Sequence, residues 1–276
     1  MRKIILHIVV LTTFWCAVSQ AEELQILIAN DDGYDAPGIV ALAKEMNKLG
    51  HVTVVAPKIN RSGSSHSIIY KVPIFFSKVD SIEGLDVWWV DVTPASSVRW
   101  ALGTLFKDKK PDLIVSGINK GVNIGNGVYY SGTVGAAREG ALAGIPAIAY
   151  SLDKTGDIRD YEGAAVRARE IAETYLNMKD RPQLLNVNLP KGKITTDTQI
   201  KVTTVGVARY TVAYKEYDNP LNNRERYYWV ILTGSETPKP GTDMHELWAG
   251  YITVTPVIVE ATDDAYLEPL RDVFNR

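Results

Sequence analysis

A chain of 276 residues, 46% hydrophobic and 22% charged, can bury a real core as one large domain or as one domain with an appendage. Its formal net charge of −2 gives no general nucleic-acid surface, and its single cysteine, Cys16, provides no disulfide framework.

The chain opens with a separable leader. "MRK" precedes an apolar run over residues 4–18, and "SQA" then puts small residues where a signal peptidase reads them. The run contains His7, Thr12 and Thr13 and is shorter than the roughly 20 apolar residues of a spanning helix. Trp15 directly before Cys16 does not suit a lipoprotein site. The pattern predicts a signal peptide over 1–21, cleavage near Ala21, export to the periplasm or medium, and no stable membrane anchor. Without Arg2 and Lys3 the mature chain keeps 28 basic against 32 acidic residues, a net of −4, and holds no cysteine to act as a nucleophile.

Beyond the leader, strands alternate with helical periodicity. "LQILIAN" (24–30) reads as a buried strand, and Ile39, Leu42, Met46 and Leu49 follow at helical spacing before Gly50. "HVTVVAP" (51–57) and "LDVWWVDV" (85–92) are strands, "SSVRWALGTLF" (96–106) is helix-like, and "DLIVSG" (112–117) is a strand. A glycine-rich loop leads into a helix over 132–144, followed by the strand "IPAIAYS" and a helix carrying Val166, Ile171 and Tyr175 on its apolar side. "LLNVNLP" (184–190) is expected to be the last core strand. The alternation predicts an α/β core over 22–195, a mainly parallel sheet with helices on both faces, whose ligands gather at the carboxyl ends of the strands. From 196 to 276, strand-like runs rich in Thr, Val and Tyr predict a β-rich C-terminal extension. Exposed edges of that kind need pairing, so the extension is also expected to be an oligomerisation arm.

The chemistry concentrates at strand ends. Asp31 and Asp32 close the first strand, Ser62 follows the second, and Asn119 follows the strand at 112–117. Four oxygen donors from three neighbouring strand ends suit a hard divalent cation, Mg²⁺ or Mn²⁺, better than Zn²⁺. A capped turn is the other account of "NDDG", since Asn, Asp and Gly are ordinary turn residues. His51, His66 and His245 lack zinc-motif spacing and read as structural or surface residues. In "GINKGVNIGNGVYYSGTVGAA" (117–137), glycines allow close backbone approach, and Ser131, Gly132 and Thr133 stand where a helix begins and anions are favoured. The loop matches neither a Walker A nor a dinucleotide fingerprint. A merely flexible loop is the other account of it.

Together "ILIANDDGYDAPGI", "VVAPKINRSGSSHSI", "PDLIVSGINKGVNIGNGVYYSGTVGAAREGALAGIPAIA", "LLNVNLP" and "GTDMHELWAGYITVTP" resemble the SurE family of survival proteins, metal-dependent 5'/3'-nucleotidases, over roughly residues 24–262. The resemblance implies a Rossmann-like core, an exchanging C-terminal arm, and a homodimer or homotetramer. It also implies hydrolysis of nucleoside monophosphates and other small phosphomonoesters by an acid-type phosphatase, with one divalent cation per subunit. Carried over, the metal ligands are Asp31, Asp32, Ser62 and Asn119, with Asp31 and Asp32 also catalytic. The phosphate loop falls on Asn123, Gly125, Ser131, Gly132 and Thr133. Duplex nucleic acid is not an expected partner. Where many members read T-P-x-D-C, this chain reads "TPASS", which puts Ser96 in place of an acid and leaves specificity open. The rival reading from another class is an exported, non-catalytic nucleotide or phosphate receptor.

Overall fold

A computed structural model describes residues 22–82, 84–153, 159–207, 211–222, 224–233 and 237–275. The leader therefore lies outside the described residues.

Strand β1 (Gln25–Ala29) lies between β2 (His51–Pro57) and β5 (Leu113–Lys120), parallel to both. The sheet continues through β4 (Leu85–Val90) to an antiparallel edge strand, β3 (Phe76–Ile82). On the other side it continues in parallel through β6 (Ala147–Leu152) and β7 (Leu184–Leu189). β1 is buried on both faces, which explains its unbroken apolar run. Ile26 and Ile28 pack with Ile39, Leu42 and Met46 of α1 (Pro37–Met46) and with Ala165, Ala168 and Ala172 of α5 (Arg159–Leu176). Leu27 and Ala29 pack with Val98 and Ala101 of α2 (Pro94–Gly103) and with Val134 and Ala137 of α4 (Gly132–Leu142). The short α3 (Gly127–Tyr130) precedes α4.

The predicted α/β class and mainly parallel sheet are the observed ones, with three differences. The strand predicted at 112–117 runs on to Lys120 through an irregularity between Ser116 and Asn119. At Gly117 (φ 128) a side chain would run into Tyr150 O at 2.2 Å, so only glycine permits this bend, which carries Asn119 to the top of the sheet. Edge strand β3 had no counterpart among the predicted elements, because "FSKVDSI" mixes polar and apolar residues. β7 is not the last core strand. β8 (Ile200–Val202) and β11 (Ile252–Pro256) extend the same sheet, β11 pairing antiparallel to β7 and parallel to β8.

The next strand after β8, β9 (Thr211–Asp218), leaves the core sheet. β9 forms a separate antiparallel ribbon with β10 (Arg226–Thr233). α6 (Asp243–Trp248) and α7 (Leu267–Phe274) complete the extension. No helix among the described residues is long and apolar enough to cross a membrane.

Candidate active site

From β1 the chain connects to β2 and β4 on one side, whereas β5, β6 and β7 build outward on the other. The gap between β1 and β5 is thus a topological switch point, where open α/β sheets bind ligands. Asp31 and Asp32 follow β1 there. The bend is locked by buried Asn30, whose side-chain nitrogen donates to Gly33 O (2.8 Å) while its oxygen accepts from Gly33 N (3.2 Å). The capped-turn account of "NDDG" is therefore correct for Asn30 and Gly33, and it leaves both aspartates available.

The aspartates contact different neighbours. Asp31 turns to the start of α4, where its Oδ1 accepts from Thr133 Oγ1 at 2.5 Å. A Cβ on Gly132 would lie 3.0 Å from Asp31 Oδ2. Asp31 is only 3% exposed, and burial pushes its pKa from 3.8 to about 6. The Thr133 hydrogen bond opposes that rise and the charge of Asp32 adds to it. Asp32 accepts from Lys120 N (2.9 Å) and Asn60 Nδ2 (3.3 Å), and burial, outweighing both the Lys120 amide and the Lys120 charge, raises its pKa. No Lys, Arg or His forms an ion pair with either carboxylate among the described residues.

The other predicted donors come to the same end of the sheet. Asn119 is buried, and its amide nitrogen is occupied by Gly121 O at 2.8 Å, while its oxygen has no hydrogen-bond partner among the described residues. Ser62 is exposed on the loop after β2, which Arg61 N fastens to Asp31 O at 2.7 Å. Asn60 links the two loops, accepting from Ser62 N (3.0 Å) while donating to Asp32. Its role was hidden in the sequence because the contact with Asp32 depends on the fold bringing β1 and β2 together.

This donor set fits a hard dication. Two adjacent, partly desolvated carboxylates form no ion pair among the described residues, the Lys120 charge acting on Asp32 without outweighing its burial, and the oxygens of Ser62 and Asn119 at the same end of the sheet are neutral. Among the described residues no group of three or more His, Cys, Asp or Glu could hold a metal, so an all-protein zinc cage has no counterpart here.

The predicted phosphate loop divides. Ser131 Oγ caps α4, accepting from Val134 N at 3.0 Å, and among the described residues its hydroxyl proton has no acceptor. Gly132 and Thr133 adjoin Asp31. The polar groups of Asn123 and Gly125 are engaged with the rest of the fold. Asn123 Nδ2 donates to Ser151 Oγ (2.8 Å), its backbone N donates to Asn188 Oδ1 (2.8 Å), and its carbonyl accepts from Asn186 Nδ2 (2.7 Å). Gly125 N donates to Asp243 Oδ2 at 2.9 Å, so that amide is already used. Asp243, passed over in sequence, also takes Gly206 N and Met244 N, each at 2.8 Å.

Ser96 is buried rather than presented to a ligand. Its Oγ accepts from Ile69 N (2.7 Å) and lies 2.8 Å from Thr93 Oγ1, so it anchors the loop after β2 to α2. His66 Nε2 lies 2.8 Å from Glu139 Oε2, a contact that ties the same loop to α4.

The Survival protein SurE family model matches residues 26–212. A 5'-nucleotidase SurE of Clostridium beijerinckii is 40% identical over 261 residues, 92% of this chain and 100% of that protein. A 5'-nucleotidase SurE of Rhodopirellula baltica is 38% identical over 251 residues, 90% of this chain and 98% of that one. Among solved structures, the SurE protein from Aquifex aeolicus superposes with a TM-score of 0.77 at 36% identity, covering 90% of this chain and 98% of its own. The matched span begins in the strand that delivers Asp31 and Asp32 and includes the whole switch-point loop set, and by these likenesses the chain belongs to the SurE family.

Proposed function

We propose that this protein is a divalent-metal-dependent phosphomonoesterase that hydrolyses nucleoside 5'- and 3'-monophosphates to nucleoside and phosphate. One observation carries the reading: two adjacent, largely buried carboxylates, neither in an ion pair among the described residues, stand at the switch point, one of them against the first turn of α4. Asp31, Asp32, Ser62 and Asn119 are the residues that would hold one cation per subunit, Mg²⁺ or Mn²⁺. When bound, such a cation polarises phosphoryl oxygens and lowers the pKa of a water molecule.

The chain's own groups do the rest. The Ser131 hydroxyl proton and the Gly132 amide are donors for a phosphoryl oxygen at the start of α4. Thr133 acts through Asp31, holding the carboxylate in place. The Lys120 amide does the same for Asp32. Asn123 and Gly125 shape the loop from behind. Phosphate monoesters are among the slowest substrates to hydrolyse unaided, and one general acid or base supplies only roughly 10²–10⁴-fold, so positioning and charge must act together.

Export after cleavage near Ala21 and a homodimer or homotetramer joined through the C-terminal arm complete the proposal. The leader's charged, apolar, small-residue order supports the first, and the exposed Tyr214, Tyr228 and Trp229 of the β9–β10 ribbon support the second. The test is phosphate release from a panel of 5'- and 3'-nucleoside monophosphates with Mg²⁺, Mn²⁺ or chelator. Turnover with a cation and its loss in chelator are expected. Binding of nucleotide without turnover under any cation would refute the enzyme in favour of a receptor.

A further inference from the structure

Strand β3 is the last strand on its side of the sheet among the described residues, so one row of its backbone N–H and C=O groups faces outward. Its inner neighbour is β4, with Phe76 opposite Val90, Lys78 opposite Trp88 and Val79 opposite Val87. Beyond Val79 the register shifts, and Ile82 pairs with Leu85. Edges of this kind are commonly guarded by charge. Here the charge is of both signs, since Lys78 and Asp80 stand exposed on either side of Val79.

That arrangement is self-complementary. When a second copy of β3 runs antiparallel beside the first about a two-fold axis at Val79, each Lys78 stands directly opposite the Asp80 of the other copy. Residues opposite one another have Cβ atoms about 4.5–5.5 Å apart, within reach of an ion pair. The neighbouring registers do not match. An axis at Lys78 sets lysine on lysine, an axis at Asp80 sets aspartate on aspartate, and a slip of one residue sets Val79 against one of the charges. Parallel pairing in register opposes like charges twice. Lys78 Nζ already lies 2.8 Å from Asp86 Oδ1 and 5.6 Å from the centre of the Trp88 ring. Its ammonium has three N–H donors, so it can keep Asp86 and take a second carboxylate.

Apolar surface lies at the same edge. Tyr70, Val72, Phe75 and Phe76, in the stretch that leads into β3, are each more than half exposed. Exposed apolar surface of this kind marks interaction sites. The Phe76 ring is set against Trp100, 4.8 Å between centroids, and Trp100 in turn meets Trp88 at 6.0 Å, so covering Phe76 orders little that is not ordered already. We propose that β3 is a two-fold interface that joins two copies of this chain edge to edge about Val79, with Lys78 of each copy paired to Asp80 of the other. The same pairing lays Phe76 of each copy alongside the end of β3 in the other. The contact is separate from the C-terminal arm, whose β9–β10 ribbon stands outside the core sheet. Its loss should halve the mass of the assembly.

In a pair of identical Lys78→Asp copies both contacts become acid on acid, and in a pair of identical Asp80→Lys copies both become base on base. A mixed pair, one copy of each variant, has both contacts matched again. Sedimentation velocity on the full chain should therefore give half the wild-type mass for each variant alone and the wild-type mass for their equimolar mixture. Lys78→Asp also loses its contact with Asp86, but that loss predicts no recovery on mixing. Full mass for either variant alone, or a mixture that stays at half mass, would overturn the proposal. So would a wild type that is monomeric at every concentration. A second variant tests the axis without relying on charge. Val79→Cys in a Cys16→Ser background sets two thiols opposite one another, and a short bis-maleimide should join the copies in pairs. Absence of that covalent dimer would overturn the proposal as well.

Discussion

Replacing Asp31 by Asn should stabilise the metal-free protein while abolishing its use of metal. An acid whose pKa is higher in the folded chain holds its proton more tightly there. Between 3.8 and about 6 the folded state therefore binds more protons than the unfolded one, and stability falls as pH rises through that window. At about 1.36 kcal/mol for each pKa unit, the accumulated loss above pH ~6.5 is roughly 3 kcal/mol. Asn has the shape of Asp, can still accept from Thr133 Oγ1, and carries no charge. In chelator at pH 8, D31N should be more stable than the wild type by about 2–3 kcal/mol, or roughly 5–10 °C for a chain of this size. At pH 4 the gap should close. Mn²⁺ at about a hundredfold over its dissociation constant should return about 2.7 kcal/mol to the wild type and little to D31N. Scanning calorimetry at pH 4, 6 and 8, with and without Mn²⁺, checks all three points. A variant less stable than the wild type at pH 8 in chelator, or a gap that ignores pH, would show that Asp31 is a structural group.

Asp32→Asn should lower phosphate release by about 10²-fold or more while the far-UV spectrum stays native, and near-wild-type turnover at limiting Mn²⁺ would place the site elsewhere. Gly132→Ala puts a Cβ 2.6 Å from Ser64 Oγ and 2.9 Å from Asp31 Cβ, so α4 or Asp31 must shift. About 1–3 kcal/mol of stability and most of the activity should go with it, and unchanged thermal midpoint and turnover would contradict this packing. If the β9–β10 ribbon is the oligomerisation arm, replacing exposed Tyr214 and Trp229 by Ser should reduce the mass seen by light scattering, and an unaltered assembly would count against the arm. These point substitutions are a cleaner test than truncation near Pro190, which would remove β8 and β11 from the core sheet.

The sequence was most legible where local pattern and tertiary role coincide. β2 spans the predicted 51–57, and β1 lies inside 24–30, because strands buried on both faces must be apolar throughout. The proposed metal donors were visible because Asp31, Asp32 and Ser62 follow recognisable strands and Asn119 lies near the end of one, and a parallel sheet brings such ends together. Ser131 announced itself as a helix cap by its position before an alanine-rich run. What stayed hidden depended on partners remote in sequence. The Gly125 amide reads as a ligand donor until Asp243, 118 residues away, is seen to occupy it. Ser96 reads as a departure at a binding loop until Ile69 N is found on its hydroxyl.

The C-terminal extension is not an appendage to a finished catalytic core. β11 pairs with β7, and the end of β7 supplies Asn186 and Asn188, which bind the Asn123 backbone. Asp243, at the start of α6, holds Gly125 and Gly206 together through its two carboxylate oxygens. Its burial raises its pKa in spite of four backbone hydrogen bonds, so the cost of placing a carboxylate there is offset only while those amides stay aligned. The loop that leads into α3 and α4 is therefore clamped from two sides by residues beyond 184. Because α4 in turn positions Thr133 on Asp31, the geometry of the first carboxylate depends on a segment more than 200 residues downstream. A rearrangement of that segment, including one imposed by a second copy of the chain, would reach the site through Asp243 and Gly125 without touching any metal donor.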